Sequence, residues 1–231
     1  MNRSFPLGKM NIELITLFGL GLIVSIALVA GRADSASAAP GGIGIASSQT
    51  PSAGAETTAV RGTRFGSRVL RQGMTGPDVT VLKSIVRSKR LLAGRLNGTF
   101  DRPTASAVRR FQGSADIARS GIVNPATAKA MVRSLGTGHA SWYGPGLYGN
   151  GTACGKVTLR PTTIGLAHKT LPCGTRVLIG FRGKYVIAPV IDRGPYIAGR
   201  TWDLTAAAAR AVGLTSAGVG TVRHAIIRLG R

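Results

Sequence analysis

Acidic side chains are scarce in this sequence. Eight Asp and Glu stand against 30 Lys and Arg, a net charge of +22 over 231 residues. From His139 to Arg231 only Asp192 and Asp203 carry a side-chain carboxylate, among 12 Lys and Arg. A chain this basic is drawn to polyanions: nucleic acid, anionic lipid or an acidic wall polymer. Cysteine is limited to Cys154 and Cys173, without a CxxC, and His139, His168 and His224 are scattered. That pattern lacks metal-ligand spacing, so neither a metal nor another cofactor is expected.

The N-terminus narrows the choice of partner. Arg3 and Lys9 precede an uncharged apolar run from Leu14 to Ala30, followed by the small residues Ala36-Ser37-Ala38. Basic start, apolar core and small-residue site predict a secretory signal over residues 1–38, cut before Ala39. The run also reaches the short edge of a membrane span, so an uncleaved anchor is the alternative. Either way an extracytoplasmic, secreted or wall-associated protein is expected. It would touch a membrane only through an uncleaved N-terminal segment, and nucleic acid is not an expected partner. In an exported chain Cys154 and Cys173 are expected to pair; two buried thiols are the other reading.

Residues 39–66 are rich in Gly, Ala, Ser and Thr without apolar periodicity, and read as a flexible linker. Residues 67–137 hold three helix starts of one type, each with proline just inside: Pro77, Pro103 and Pro125. Proline suits that position because its missing N–H has no intrahelical partner there. Asp101 and Asn124 stand where N-caps belong. Val79, Leu82, Ile85 and Val86 share one helical face, so a compact three-helix bundle is expected.

After His139 the pattern becomes strand-like. Two β-rich runs flank Arg182-Gly183, a hairpin signal. "ASWY", "TTIGLAH" and "HAIIRL" supply further strands. "LTAAAARAVGL" is one short helix, capped by Thr205 or Asp203 and ended by Gly213. The expected class is multidomain α + β: a small three-helix domain, then an all-β closed barrel with one helix over 138–231.

The first of these segments resembles the three-helix peptidoglycan-binding domain. The matching positions are Gly73, Gly76, Asp78, Val79 and Leu82; Gly98 and Phe100; Ala107, Val108, Phe111 and Gln112; Gly121, Pro125 and Thr127. Lys83 departs from the usual glutamine. The blocks "ASWYGPGLYGNGTACG", "GLAHKTLPCGTRV" and "VIDRGPYIAGRTWDLTAAAARAVGL" resemble the rare lipoprotein A (RlpA-like) family in order and spacing. That resemblance implies a double-psi β-barrel, shared with expansins and family 45 glycosidases, and lytic cleavage of peptidoglycan glycan strands. A hydrolytic glycosidase needs two carboxyl groups. A lytic enzyme uses the sugar's own 6-hydroxyl as nucleophile, so one acid/base is enough.

By resemblance Asp192, Asp203 and His168 fall at catalytic positions, and Lys156 and Leu159 fall about where active members carry a glutamate and an aspartate. Two functions therefore stay open: a peptidoglycan lytic transglycosylase, or a non-catalytic expansin-like protein that binds or loosens the wall. Each residue also has a structural reading. Asp192 can brace the Gly-Pro turn, Asp203 can cap the helix, and His168 can be a core or rim histidine. Trp142, Tyr143, Tyr196 and Trp202 stand near the acids as candidate sugar-stacking residues or as core. Arg193 is a candidate for muropeptide carboxylates. The expected partners are peptidoglycan glycan strands and anionic wall polymers. If Asp192 and Asp203 serve one groove, their carboxyl groups belong on one face within about 10 Å.

Overall fold

A computed structural model describes residues 60–155 and 157–230. The signal segment and most of the linker lie outside the described residues, as does Lys156.

The three proline-started helices form as the sequence predicts: α1 (Pro77–Ser88), α2 (Arg102–Ser114) and α3 (Pro125–Arg133). Asp101 caps α2 by accepting from the Thr104 N–H, and Asn124 caps α3 from the Thr127 N–H. Val79, Leu82, Ile85 and Val86 are fully buried together with Val108 and Phe100. Gln112 is buried too. Its amide donates to the Ile122 carbonyl at 2.8 Å and accepts from the Gly121 N–H at 2.9 Å, tying the loop before α3 to α2.

Lys83, the departure from the familiar pattern, is 1% exposed. Its ammonium donates to Asn97 Oδ1 at 2.6 Å, the Thr99 carbonyl at 2.9 Å and Asp101 Oδ2 at 3.2 Å. All three donors of the ammonium are used, which is the condition for burying a charge without severe loss.

A strand precedes the helices. Arg61–Arg64 forms β1, within the segment read as linker. Its residues alternate weakly and carry two arginines, so no strand signal was legible. What holds it is a partner far along the chain: it pairs antiparallel with β5 (Lys184–Asp192), Arg64 facing Lys184. The other strands are β2 (Gly136–Tyr143), β3 (Leu166–Ala167), β4 (Arg176–Phe181), β6 (Trp202–Thr205) and β7 (Gly220–Arg228). Six of them close in the order β5-β3-β6-β2-β7-β4, with β4 pairing back to β5. Two of the pairings, β2–β6 and β3–β5, are parallel. The β4–β5 hairpin turns at Arg182-Gly183, both at positive φ. Helix α4 (Ala206–Val212) is capped by Thr205, not Asp203, and ends at Gly213 in the left-handed conformation.

The barrel interior is filled by Val177, Ile179, Val186, Ala188, Val190, Leu166, Leu204 and Trp202. Its outer face is covered as well. Leu178, Tyr185, Ile187, Ala225 and Ile227 belong to the same buried cluster as the helices. Phe65 meets Tyr185 edge to face at 6.2 Å. Only Ser134 and Leu135 separate α3 from β2. The helices are thus packed onto the barrel rather than tethered to it, and the described residues fall within one compact unit.

Replacing Lys83 by methionine leaves the Thr99 carbonyl and the Asn97 amide oxygen without their buried donor. We expect a loss of about 3 kcal/mol, within the range for breaking a buried charged network, measured by urea unfolding. A change below about 0.5 kcal/mol, the scale of surface substitutions, would mean the network contributes nothing.

Candidate active site

The site rests on the shortest strand. β3 has two residues and sits between β5 and β6. Leu166 faces Val190, but Ala167 faces Asp192, so β5 contributes one extra residue between them. Side chains alternate along a strand, so without this slip Asp192 would share the core-facing side of Val190. An extra residue re-aims the side chain that follows it. Ala167 also faces Asp203 on β6, and Asp203 faces Ser141 on β2. Ser141, Asp203, Ala167 and Asp192 therefore form a row across four strands on one face. The two aspartates flank Ala167 on either side. At about 4.8 Å between strands, their Cα atoms stand about 10 Å apart.

Asp203 accepts a hydrogen bond from Ser141 Oγ at 2.8 Å. Burial raises its pKa above the ordinary aspartate value, Asp192 adds to the rise, and the Ser141 bond and the Arg200 charge offset part of it. Asp192 Oδ1 accepts from the Ala153 N–H at 2.9 Å and the Arg193 N–H at 2.9 Å. The expected turn-bracing role is thus present, but the residue also faces the site. Tyr143, two residues beyond Ser141 on the same face, has a buried hydroxyl with no hydrogen bond of good geometry among the described residues. Burial, then the neighbouring Asp192 and Asp203, push its pKa up, so it stays protonated.

His168 follows Ala167. Its Nδ1 accepts from the Thr170 N–H at 3.2 Å and the Leu171 N–H at 3.1 Å. That places the ring proton on Nε2. Burial lowers the pKa, and the charges of His224, Arg193 and Lys169 lower it further, so the ring is neutral near pH 7.

The aromatic candidates divide. Tyr196 is 81% exposed beside the Gly194-Pro195 turn. Trp202 is 1% exposed and packs between His168 and His224, at ring separations of 4.7 and 5.0 Å. The expectation that it stacks on sugar is corrected: parity on β6 points it into the core, where it backs His168. Trp142 is half-buried. It faces Leu204 on the core-facing side of β2 and packs on the barrel interior. Arg193 turns its guanidinium to the disulfide loop, donating to the carbonyls of Leu171 at 2.9 Å and His168 at 3.3 Å and to Cys173 Sγ at 3.2 Å. Cys154 and Cys173 are bonded, and the loops carrying Ala153 and His168 are thereby joined. Leu159 is buried. No cluster of potential metal ligands is present among the described residues.

Sequence reasoning missed Ser141 and His224. Ser141 was recoverable, because it lies two residues before Tyr143 on a recognised strand. His224 was not, since its contact with Trp202 on β6 spans the intervening strand β2.

Comparison with known proteins fits this arrangement. Residues 136–224 match the family described as "Lytic transglycolase", and residues 75–131 match the one described as "Putative peptidoglycan binding domain". The barrel belongs to the double-psi lytic transglycosylase class. The chain is 38% identical over 157 residues to the "Probable endolytic peptidoglycan transglycosylase RlpA" of Synechocystis sp., covering 67% of this chain and 44% of that protein. It is 39% identical over 95 residues to the protein of the same name from Aquifex aeolicus, covering 40% of this chain and 42% of the other. It is 43% identical over 96 residues to the "Endolytic peptidoglycan transglycosylase RlpA" of Pasteurella multocida, covering 41% of this chain and 32% of that one. The chain thus carries a barrel domain of the lytic transglycosylase family behind a peptidoglycan-binding domain, and it is similar in sequence to proteins named RlpA. It spans less than half the length of each of these three relatives.

The raised pKa of Asp203 has a consequence for stability. The folded protein keeps this proton at pH values where the unfolded chain has lost it. Folding is therefore penalised as pH rises from the ordinary aspartate value through the raised one. Asp203→Asn keeps an oxygen for Ser141 and removes the penalty. Its melting temperature should gain on the wild type over the range in which pH rises above the ordinary aspartate value. A constant offset across that range would show that Asp203 titrates normally.

Proposed function

We propose that this is an exported cell-wall protein that binds peptidoglycan and cleaves its glycan strands as an endolytic lytic transglycosylase. The observation that carries this reading is the Ser141–Asp203–Ala167–Asp192 row, which sets a proton-retaining carboxyl across one residue from a second carboxylate. In this reading Asp203 donates its proton to the glycosidic oxygen between MurNAc and GlcNAc. The C1–O bond breaks, and the 6-hydroxyl of the same MurNAc attacks C1. Asp203, now a carboxylate, takes the proton of that hydroxyl, closing a 1,6-anhydro ring without consuming water and restoring the acid.

Asp192, fixed by two backbone N–H groups, faces the positive charge that develops at C1. Neutral His168 offers an Nε2–H, and Tyr196 offers a sugar a solvent-facing ring. The helical domain supports retention on the wall, and the basic surface supports attraction to anionic wall polymers. The lytic route asks for one acid/base rather than two, which suits a barrel whose only side-chain carboxylates are Asp192 and Asp203.

Mass spectrometry of purified peptidoglycan after incubation with the protein should reveal 1,6-anhydro ends. Asp203→Asn should lower their rate of appearance by at least about 100-fold, the lower range for loss of a general acid, and Asp192→Asn should also lower it. Retention on peptidoglycan without anhydro ends would replace this reading by the expansin-like, non-catalytic one.

A further inference from the structure

A concave feature lies on the helical domain, away from the two acids. Phe65, Pro125, Ala128 and Val132 line a groove of about 340 Å³ between the end of β1 and α3. That lies within the range of about 300–1,000 Å³ typical of small-ligand sites. Lys129 and Arg133 line the same groove. They stand four residues apart on α3, so both cations emerge on one side of it.

Neither cation has an acidic partner among the described residues. Of the five aspartates in the described chain, Asp78 pairs with Arg68 and Asp101 with Lys83. Asp192 and Asp203 are in the barrel, and Asp116 makes no ion pair among the described residues. An apolar floor beside two adjacent, uncompensated cations on a rigid helix matches a ligand that carries both carboxylates and short alkyl groups. A sugar fits less well, because the groove's one aromatic ring, Phe65, is 8% exposed and turned toward Tyr185, leaving no open face for stacking. A polyphosphate has no use for the apolar floor.

We propose that this groove binds the acidic peptide stem of peptidoglycan, with Lys129 and Arg133 pairing its carboxylates and the Pro125–Ala128–Val132 floor taking its alanyl methyl groups. The proposal rests on the reading that the chain acts at peptidoglycan, and it names the part of that polymer which the helical domain holds. Glycan in the barrel groove and peptide on the helices would then be held by different surfaces of one packed unit.

The test uses the full chain and a soluble tetrapeptide, L-Ala-γ-D-Glu-meso-diaminopimelate-D-Ala, titrated calorimetrically, with pull-down on intact and on amidase-stripped sacculi. Wild type should bind the tetrapeptide, and capping the peptide's carboxylates as amides should weaken it at least about tenfold, the scale of one lost charged hydrogen bond. K129Q/R133Q should weaken it similarly, and V132W, which fills the groove, should do so without any change in charge. R71Q/R95Q, which removes the same charge from exposed positions outside the groove, should leave binding unchanged. Absence of tetrapeptide binding overturns the proposal, and so does equal binding by V132W. Equal losses from both charge variants would also overturn it, as mere polycation attraction. If intact and stripped sacculi are retained alike, the proposal fails while the peptidoglycan reading survives. If neither sacculus is retained and the tetrapeptide is not bound, both fail.

Discussion

One slip in register governs the site. Ala167 is the only residue that touches both aspartate-bearing strands at the right level, and it faces Asp192 because β5 has one residue more than β3 between their two matched positions. With strict alternation Asp192 would follow Val190 into the barrel interior, where a carboxylate without a partner is costly. The slip instead sets it on the outer face, fixed through the backbone N–H groups of Ala153 and Arg193. The Cys154–Cys173 bond then joins the two loops that supply Ala153 and His168. The placement of Asp203, Tyr143 and His168 is meaningful only once Asp192 stands beside them.

The poverty of acids gives the site its electrostatic character. In a carboxylate-rich groove, protons would be shared among many groups. Here burial, with Asp192 adding to it, makes Asp203 hold its proton more tightly, and Ser141 and Arg200 limit the effect without cancelling it. His168 moves the opposite way, to the neutral form, because it too is partly buried and surrounded by cations. Acid and imidazole are both driven toward their uncharged forms by the same cause, and both keep a proton that a ligand can be offered.

Much of this was legible in the residues. The proline starts fixed the three helices, and the Asp101 and Asn124 caps are where local chemistry put them. The Arg182-Gly183 turn and the Gly213 stop were equally local. The cap of α4 was ambiguous between Thr205 and Asp203; parity on β6 settles it, sending Asp203 to the face of Ser141 and Ala167 and leaving Thr205 to the helix. What escaped was non-local. β1 has no pattern of its own and exists through β5. Trp202 looked like a groove residue because it neighbours Asp203 in sequence, yet alternation puts neighbours on opposite faces. The continuous core between helices and barrel was hidden because Leu178, Tyr185 and Ile187 alternate with the barrel's own interior residues and look like an ordinary two-sided strand pattern.

That shared core changes how the chain must assemble. β1 leads the helices, but its partner strand begins roughly 120 residues downstream, so its pairing closes one of the longest loops in the molecule, the kind of contact that slows folding. The helices lie wholly inside that loop and are rich in local contacts, so they can form while the barrel is still incomplete. Until β4, β5 and β7 arrive, however, the face of the helical domain destined for Leu178, Tyr185, Ala225 and Ile227 has nothing to cover it. The helical domain is thus an early folder that stays sticky until the last strand is in place, and a chain emerging in an extended state carries its aggregation hazard in the half that looks, from its sequence, most self-sufficient.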